Sequence, residues 1–280
     1  MIGDMLHERY RIIDKLGYGS YSTPSSVTHP GRDSIFPLLD EFEVTGPNGT
    51  HPCYTRTPAR CELQEVSSSR LFPLEVTRAL SAGLTLAIAY IHSQGYAHAD
   101  IRLQNVLVKL PSSLDHFSPE VVSVTQCDGH PLPPNVPEKG VTSLYFGKNA
   151  EEFSLSDSRI LLSDLGEAFA PGVEARRGED SHGPLAWRPP EARFKPQAPL
   201  SYSADIWSLA ATIWEIIGMK TIVSCHFATA DEVLGPISVT WWERWEEWSQ
   251  FFDDAGYPLD GRDVWPPLHD AFEQNVQKLH

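Results

Sequence analysis

One stretch, Leu74 to Ser93, constrains the chain more than any other. Val76, Leu80, Leu84, Ala87, Ile88 and Ile91 recur at three- and four-residue intervals, which places them on one side of an α-helix. Gln94-Gly95 ends the pattern, and glycine readily takes the left-handed conformation that closes a helix. The next residues are polar: His98-Ala99-Asp100-Ile101-Arg102-Leu103-Gln104-Asn105. Then comes Val106-Leu107-Val108, which predicts a short buried strand. A chain that buries such a helix must therefore hold a loop with three ionisable side chains at the edge of its core.

Other elements are weaker. Tyr10 to Leu16 reads as a strand broken by Gly17-Tyr18-Gly19-Ser20. Residues 22–34 are loop-like, and Ile35 to Val44 predicts a strand with a proline near its start. Gly46-Pro47-Asn48-Gly49 is a turn signal, with a short returning strand over His51 to Thr55. Residues 56–70 show no periodicity. From Pro111 to about Asn149 the composition suggests an insert or long loop. Arg159 to Leu162 predicts another strand, and Ser203 to Gly218 an apolar helix that opens at a serine and closes at a glycine. Trp241, Trp242, Trp245 and Trp248 share a helical stripe, read as packing.

Composition narrows the class. The chain has 280 residues, 41% hydrophobic and 21% charged, as in ordinary globular proteins. A formal net charge of -15 disfavours nucleic acid and anionic membranes and would suit a basic peptide. The four cysteines form no CxxC pair, so neither a zinc site nor a disulfide framework is expected, and they read as free thiols in a reducing compartment. The first residues lack the pattern of a signal peptide. No apolar run is expected to reach the roughly 18 residues of a membrane span.

The loop after the long helix does not stand alone. Asp164-Leu165-Gly166 follows the strand at Arg159–Leu162, Pro190-Glu191 lies in RPPEARF, and Ser203-Ala-Asp-Ile-Trp-Ser208 opens the second helix. In this order they resemble the marks of a eukaryotic serine/threonine protein kinase: H-x-D-x-x-x-x-N, the metal-binding D-x-G, the A-P-E that closes the activation segment, and the start of the central helix. The stretch Tyr10 to Thr23, YRIIDKLGYGSYST, resembles the glycine-loop strand of SR-protein kinases, the leucine in D-L-G and the insert fit that group, and the HPGRD, LLDEFEVTGPNGTH, LSYSADIWSLA and VWPPL segments are similar to its fungal members.

The resemblance implies an α+β, bilobal protein-kinase-like fold with a reduced β N-lobe over residues 1–70. A mainly α-helical C-lobe would fill 71–280, with an insert at about 111–149. It implies ATP and Mg²⁺ as cofactors and a protein substrate, basic and Arg/Ser-rich. It implies no direct nucleic acid, no membrane, a monomer, and a cytoplasmic or nuclear location. Carried over residue by residue, Asp100 is the base that takes the acceptor's proton, and Arg102 stands where a lysine usually reaches the γ-phosphate. Asn105 and Asp164 are the Mg²⁺ ligands. Leu16, Gly17, Tyr18, Gly19 and Ser20 form the glycine loop, and His98, Gly166, Glu191 and Asp205 are structural supports. Phosphoryl transfer depends mostly on positioning and charge neutralisation, which is why it needs one carboxylate at the nucleophile and hard oxygens at the metal.

The sequence also departs from that family. Lys15 is the only lysine before Lys109, so the phosphate-gripping lysine and its partner helix are missing from their expected place. Loss of such a donor costs on the order of 3 kcal/mol in the transition state. Cys53 to Arg60 does not resemble the apolar strand and linker that hold adenine, and the final helices of the large lobe are expected to be absent. Ala99 replaces the arginine of H-R-D, and Ser181 is the only hydroxyl-bearing residue between Asp164 and Glu191, so no phosphorylation-gated loop is expected. A catalytically weak or dead pseudokinase acting as a binding module, and a non-functional truncated product, stand as alternatives. Small-molecule kinases of the aminoglycoside and choline type share the loop but lack the A-P-E and D-x-W-S marks.

Overall fold

The structure is a computed structural model that describes residues 5–6, 10–11, 29–46, 49–67, 71–110, 121–123, 139–141, 146–184 and 186–222, with 243, 248–250, 252–254, 259, 266 and 268–277. β1 (Met5–Leu6) pairs antiparallel with β2 (Tyr10–Arg11). The rest of the strand predicted to Leu16, with the glycine loop Leu16–Ser20, lies outside the described residues.

A 3₁₀ turn at Arg32–Ser34 precedes β3 (Asp40–Gly46), which forms a hairpin with β4 (Gly49–Thr55). Gly46 faces Gly49, whose φ of 112° is one that glycine adopts without a Cβ penalty. The strand expected from Ile35 therefore starts at Asp40 instead. Pro37 has no N–H to give to a ladder, and Ile35 makes only an isolated parallel bridge to Leu162.

Residues 56–67, which showed no periodicity, hold β5 (Ala59–Glu62) and α1 (Leu63–Ser67). β5 pairs antiparallel with β6 (Val106–Lys109), and β6 with β9 (Ile160–Leu162). A small hairpin, β7 (Val121–Ser123) with β8 (Lys139–Val141), sits within the predicted insert. Where the insert returns, Asp157 accepts from Lys148 (2.7 Å), Arg60 (2.6 Å) and the backbone and hydroxyl of Ser154. Burial alone would raise the Asp157 carboxyl, but these donors hold it well below the usual carboxylate range.

α2 spans Leu74–Ser93 as the periodicity predicts, and every residue of the predicted stripe is buried. Gly95 closes it with φ 86°. By length and apolarity α2 does reach a membrane span, contrary to expectation. Its stripe is nevertheless part of the core, in one cluster with Val106 and Val108 of β6, Ile160 and Leu162 of β9, and Leu209 and Ile216 of the second long helix. Phe72 packs edge-on to Phe153 at 5.2 Å in the same cluster.

That second helix, α4 (Tyr202–Gly218), follows α3 (Pro190–Phe194). The Ser201 side chain accepts from the Ser203 N–H at its start. Met219, not Gly218, takes the left-handed position at its end, with φ 52°. α5 (Leu268–Phe272) continues as a π-helical turn to Gln277 and meets α4 through the Phe272 and Trp214 rings, 6.1 Å apart. Of the tryptophan stripe, Trp241, Trp242 and Trp245 lie outside the described residues, and Trp248 opens a 3₁₀ turn.

Candidate active site

The polar loop predicted after α2 is built on α4. Asp205, in the first turn of α4, is fully buried. Its Oδ2 accepts the backbone N–H of His98 at 2.7 Å, and its Oδ1 that of Ala99 at 2.8 Å. The Nε2 of His92, from the last turn of α2, lies 2.8 Å from the same Oδ2. About two turns further along α4, the Thr212 hydroxyl lies 3.2 Å from the carbonyl of Ile101 and 2.8 Å from that of Ser208, sharing its proton between them. The loop is thus pinned at residues 98, 99 and 101 by a single helix, with α2 bracing the carboxylate. Neither His92 nor Thr212 stands out in the sequence, because their partners are more than a hundred positions away.

His98 is fully buried and links two backbone segments. Its Nδ1 accepts the N–H of Asp100 at 3.2 Å, which leaves Nε2 protonated to donate to the carbonyl of Ser163 at 3.0 Å. Burial pushes its pKa below the ordinary value, against the pull of Asp205, the Ser163 carbonyl, Asp100 and Asp164. The neutral imidazole therefore ties the residue before Asp164 to Asp100, and both carboxylates lie within electrostatic reach of its ring.

Asp100 is oriented from two sides. Its Oδ2 accepts from Asn105 Nδ2 at 2.7 Å and Arg102 Nε at 3.1 Å. Asn105 Nδ2 also donates to the Asp100 carbonyl at 2.8 Å, and Arg102 donates to the Gln104 side chain. The Asn105 carbonyl accepts both the N–H and the hydroxyl of Ser163, at 2.9 and 3.0 Å. The Asn105 amide nitrogen is thus committed to Asp100.

Asp164 sits in the left-handed region, with φ 59° and ψ 65°, a conformation that a non-glycine residue adopts at some cost. Gly166 lies in the 3₁₀ turn Leu165–Glu167 that follows, and Leu165 packs against the core. Glu191, in the first turn of α3, accepts from the Ser203 hydroxyl at 3.2 Å, which ties α3 to α4. The glycine loop, Leu16 to Ser20, is not among the described residues. Those residues hold no cluster of three His, Cys, Asp or Glu suited to a metal. The oxygens of Asn105 and Asp164 do fit a cation that takes few protein ligands and completes its shell with phosphate and water, as Mg²⁺ does.

Asp100 lines a cavity together with Ala99, Arg176, His182, Trp187 and Arg188 among others. Trp187 is docked onto α4 twice. Its carbonyl accepts from Ser208 Oγ at 2.8 Å, and its Nε1 donates to Glu215 at 3.0 Å. Burial pushes the Glu215 carboxyl up to about 7, although the Trp187 hydrogen bond opposes the shift.

A crystal structure of a kinase domain superposes on 87% of this chain and 69% of its own, with a TM-score of 0.53 at 16% identity. The fold is that of a protein kinase. Among curated relatives, a serine/threonine protein kinase of Aspergillus fumigatus is 24% identical over 255 residues, covering 77% of this chain and 59% of the relative. This kinase-fold chain therefore spans about three-fifths of the length of that relative. A serine/threonine-protein kinase of Caenorhabditis briggsae is 28% identical over 39% of the chain and 13% of its own length. SRSF protein kinase 3 of Mus musculus is 22% identical over 38% of the chain and 26% of its own. No protein-family model matches the chain.

Proposed function

We propose that this chain is a serine/threonine protein kinase that transfers the γ-phosphate of Mg-ATP to a hydroxyl of a basic, Arg/Ser-rich protein. The observation that carries the reading is the orientation of Asp100, whose Oδ2 is held by Asn105 and Arg102. Its other oxygen, Oδ1, would accept the acceptor's proton as the hydroxyl oxygen bonds to phosphorus and the β–γ bridging oxygen leaves with the nucleoside diphosphate. Asn105 Oδ1 and the Asp164 carboxylate would hold Mg²⁺, which when bound neutralises charge on the phosphates. Arg102, whose guanidinium already spans Asp100 and Gln104, would supply a further cation there. The net charge of -15 supports a basic substrate. The low-identity likeness to SR-protein kinases supports the Arg/Ser-rich class.

A second reading has its own support. No lysine stands between residues 16 and 108, and Arg56 stacks its guanidinium on Tyr54 at 4.7 Å and on Phe36 at 5.6 Å, in the stretch where the family carries an apolar strand. These features favour a binding module that transfers no phosphate.

Thermal-shift titration with Mg-ATP separates the two. A saturable rise in melting temperature that is lost in Asp164→Ala is expected of the kinase. No shift at millimolar Mg-ATP would favour the binding module.

A further inference from the structure

We propose that Arg176 is a positioning residue whose guanidinium sets the segment between Asp164 and Glu191. The proposal deepens the kinase reading and rests on it for its catalytic consequence.

The geometry is specific. Arg176 Nη1 donates to the backbone carbonyl of Glu167 at 2.6 Å and to its Oε2 at 3.1 Å. Nη2 lies 3.7 Å from Glu174 Oε1, and the guanidinium lies over the Phe169 ring, 5.0 Å from its centre. The Arg176 carbonyl accepts the N–H of Leu200 at 2.7 Å, and Arg177 bridges Pro199 in antiparallel fashion. Phe169 in turn exchanges both backbone hydrogen bonds with Ala97, at 2.8 and 3.1 Å, one residue before His98. The guanidinium therefore joins the turn just after Asp164 to the residue paired with the start of the catalytic loop, while the Arg176 backbone ties the segment to the run that leads into α4.

The chemistry explains why this residue and not another. The loop itself offers only a methyl group at Ala99, and Ala99 and Arg176 line the same cavity as Asp100. The cation that organises this region comes from the segment, and its counter-charges, Glu167 and Glu174, come from the segment too. A guanidinium can grip a carbonyl and a carboxylate in one plane while stacking its face on a ring. A lysine at 176 would keep the charge and lose the fork and the stack.

Hydrogen exchange on the full chain tests this, read over residues 165–183 with the amides of α2 as an internal reference. Arg176→Ala is expected to speed exchange in 165–183 by about tenfold or more while α2 stays as in wild type. Arg176→Lys should fall between the two. Glu167→Gln should have a smaller effect than Arg176→Ala, since Glu174 and Phe169 remain. In the transfer assay Arg176→Ala should lower kcat by about tenfold or more with little change in KM for Mg-ATP, and Arg176→Lys should restore part of it. Wild-type exchange rates in Arg176→Ala would overturn the proposal, and so would equal acceleration throughout α2. If Arg176→Ala does not fold, Arg176→Lys and Glu167→Gln decide it by the same readings. If the exchange results hold while wild type transfers no phosphate, the positioning role stands and the kinase reading fails.

Discussion

Asp205 holds Ala99 in a left-handed backbone conformation: the carboxylate accepts the Ala99 N–H at 2.8 Å while that residue sits at φ 65°. Such a backbone persists only where its surroundings over-determine it. Here the same carboxylate also takes the N–H of His98 and meets the ring of His92, with no exposure to water. Asp205→Asn would turn an amide donor towards groups that are themselves donors. It should lower stability by about 3 kcal/mol in urea unfolding. A loss below about 0.5 kcal/mol, typical of an inconsequential surface change, would contradict the bracing role.

Glu215 predicts a pH effect of opposite sign to the usual carboxylate. Its pKa rises from 4.5 to about 7 on folding, because burial penalises the charged form. Between those values the folded state keeps a proton that the unfolded state releases. Its contribution is thus complete below about pH 4.5 and is lost as pH rises through about 7. Glu215→Gln keeps an acceptor for Trp187 and removes the titration. The variant should gain on wild type by up to about 3 kcal/mol between about pH 5 and about pH 8. His98 works the other way in both proteins. Its folded pKa is depressed, so its contribution is present above the unfolded value near about 6.5 and is lost as pH falls below it. A constant difference between variant and wild type across the range would refute the Glu215 assignment.

Gly31 is required by closeness. A Cβ there would stand 1.8 Å from the carbonyl oxygen of Leu86 in α2, whereas Gly95, at φ 86°, has open space around it. Gly31→Ala should cost more than about 2 kcal/mol by forcing the segment off the helix. Gly95→Ala should cost about 1 kcal/mol through its backbone alone. Equal Tm losses would show that the close approach is unimportant.

What the sequence could and could not disclose follows from where the information sits. α2 was legible to the residue because its own side chains carry the period and Gly95 carries the stop. The hairpin at Gly46–Gly49 was legible because the turn residues are local. β5 was not. Ala59, Arg60, Cys61 and Glu62 show no alternation, and the segment becomes a strand through the backbone of β6, more than forty positions away. At the site, the residue types and order of His98, Asp100, Asn105 and Asp164 pointed to a common chemistry. The supports from His92, Thr212 and Arg176 come from tertiary contacts and leave no local pattern.

Ser181 tests the expectation that no phosphate gates the segment. It is the only hydroxyl-bearing residue between Asp164 and Glu191. Ser181→Ala should leave transfer activity unchanged, and a loss of about tenfold or more would mean that a modified hydroxyl orders the segment after all.

The most direct measurement is γ-phosphate incorporation into an Arg/Ser-rich peptide by the wild-type chain and by Asp100→Asn, each with Mg-ATP. The variant keeps the shape of the side chain that Asn105 and Arg102 orient but cannot accept a proton. The account predicts measurable transfer by wild type and a fall of about a hundred-fold or more in kcat for the variant. Equal incorporation by the two, or none by wild type, would contradict it.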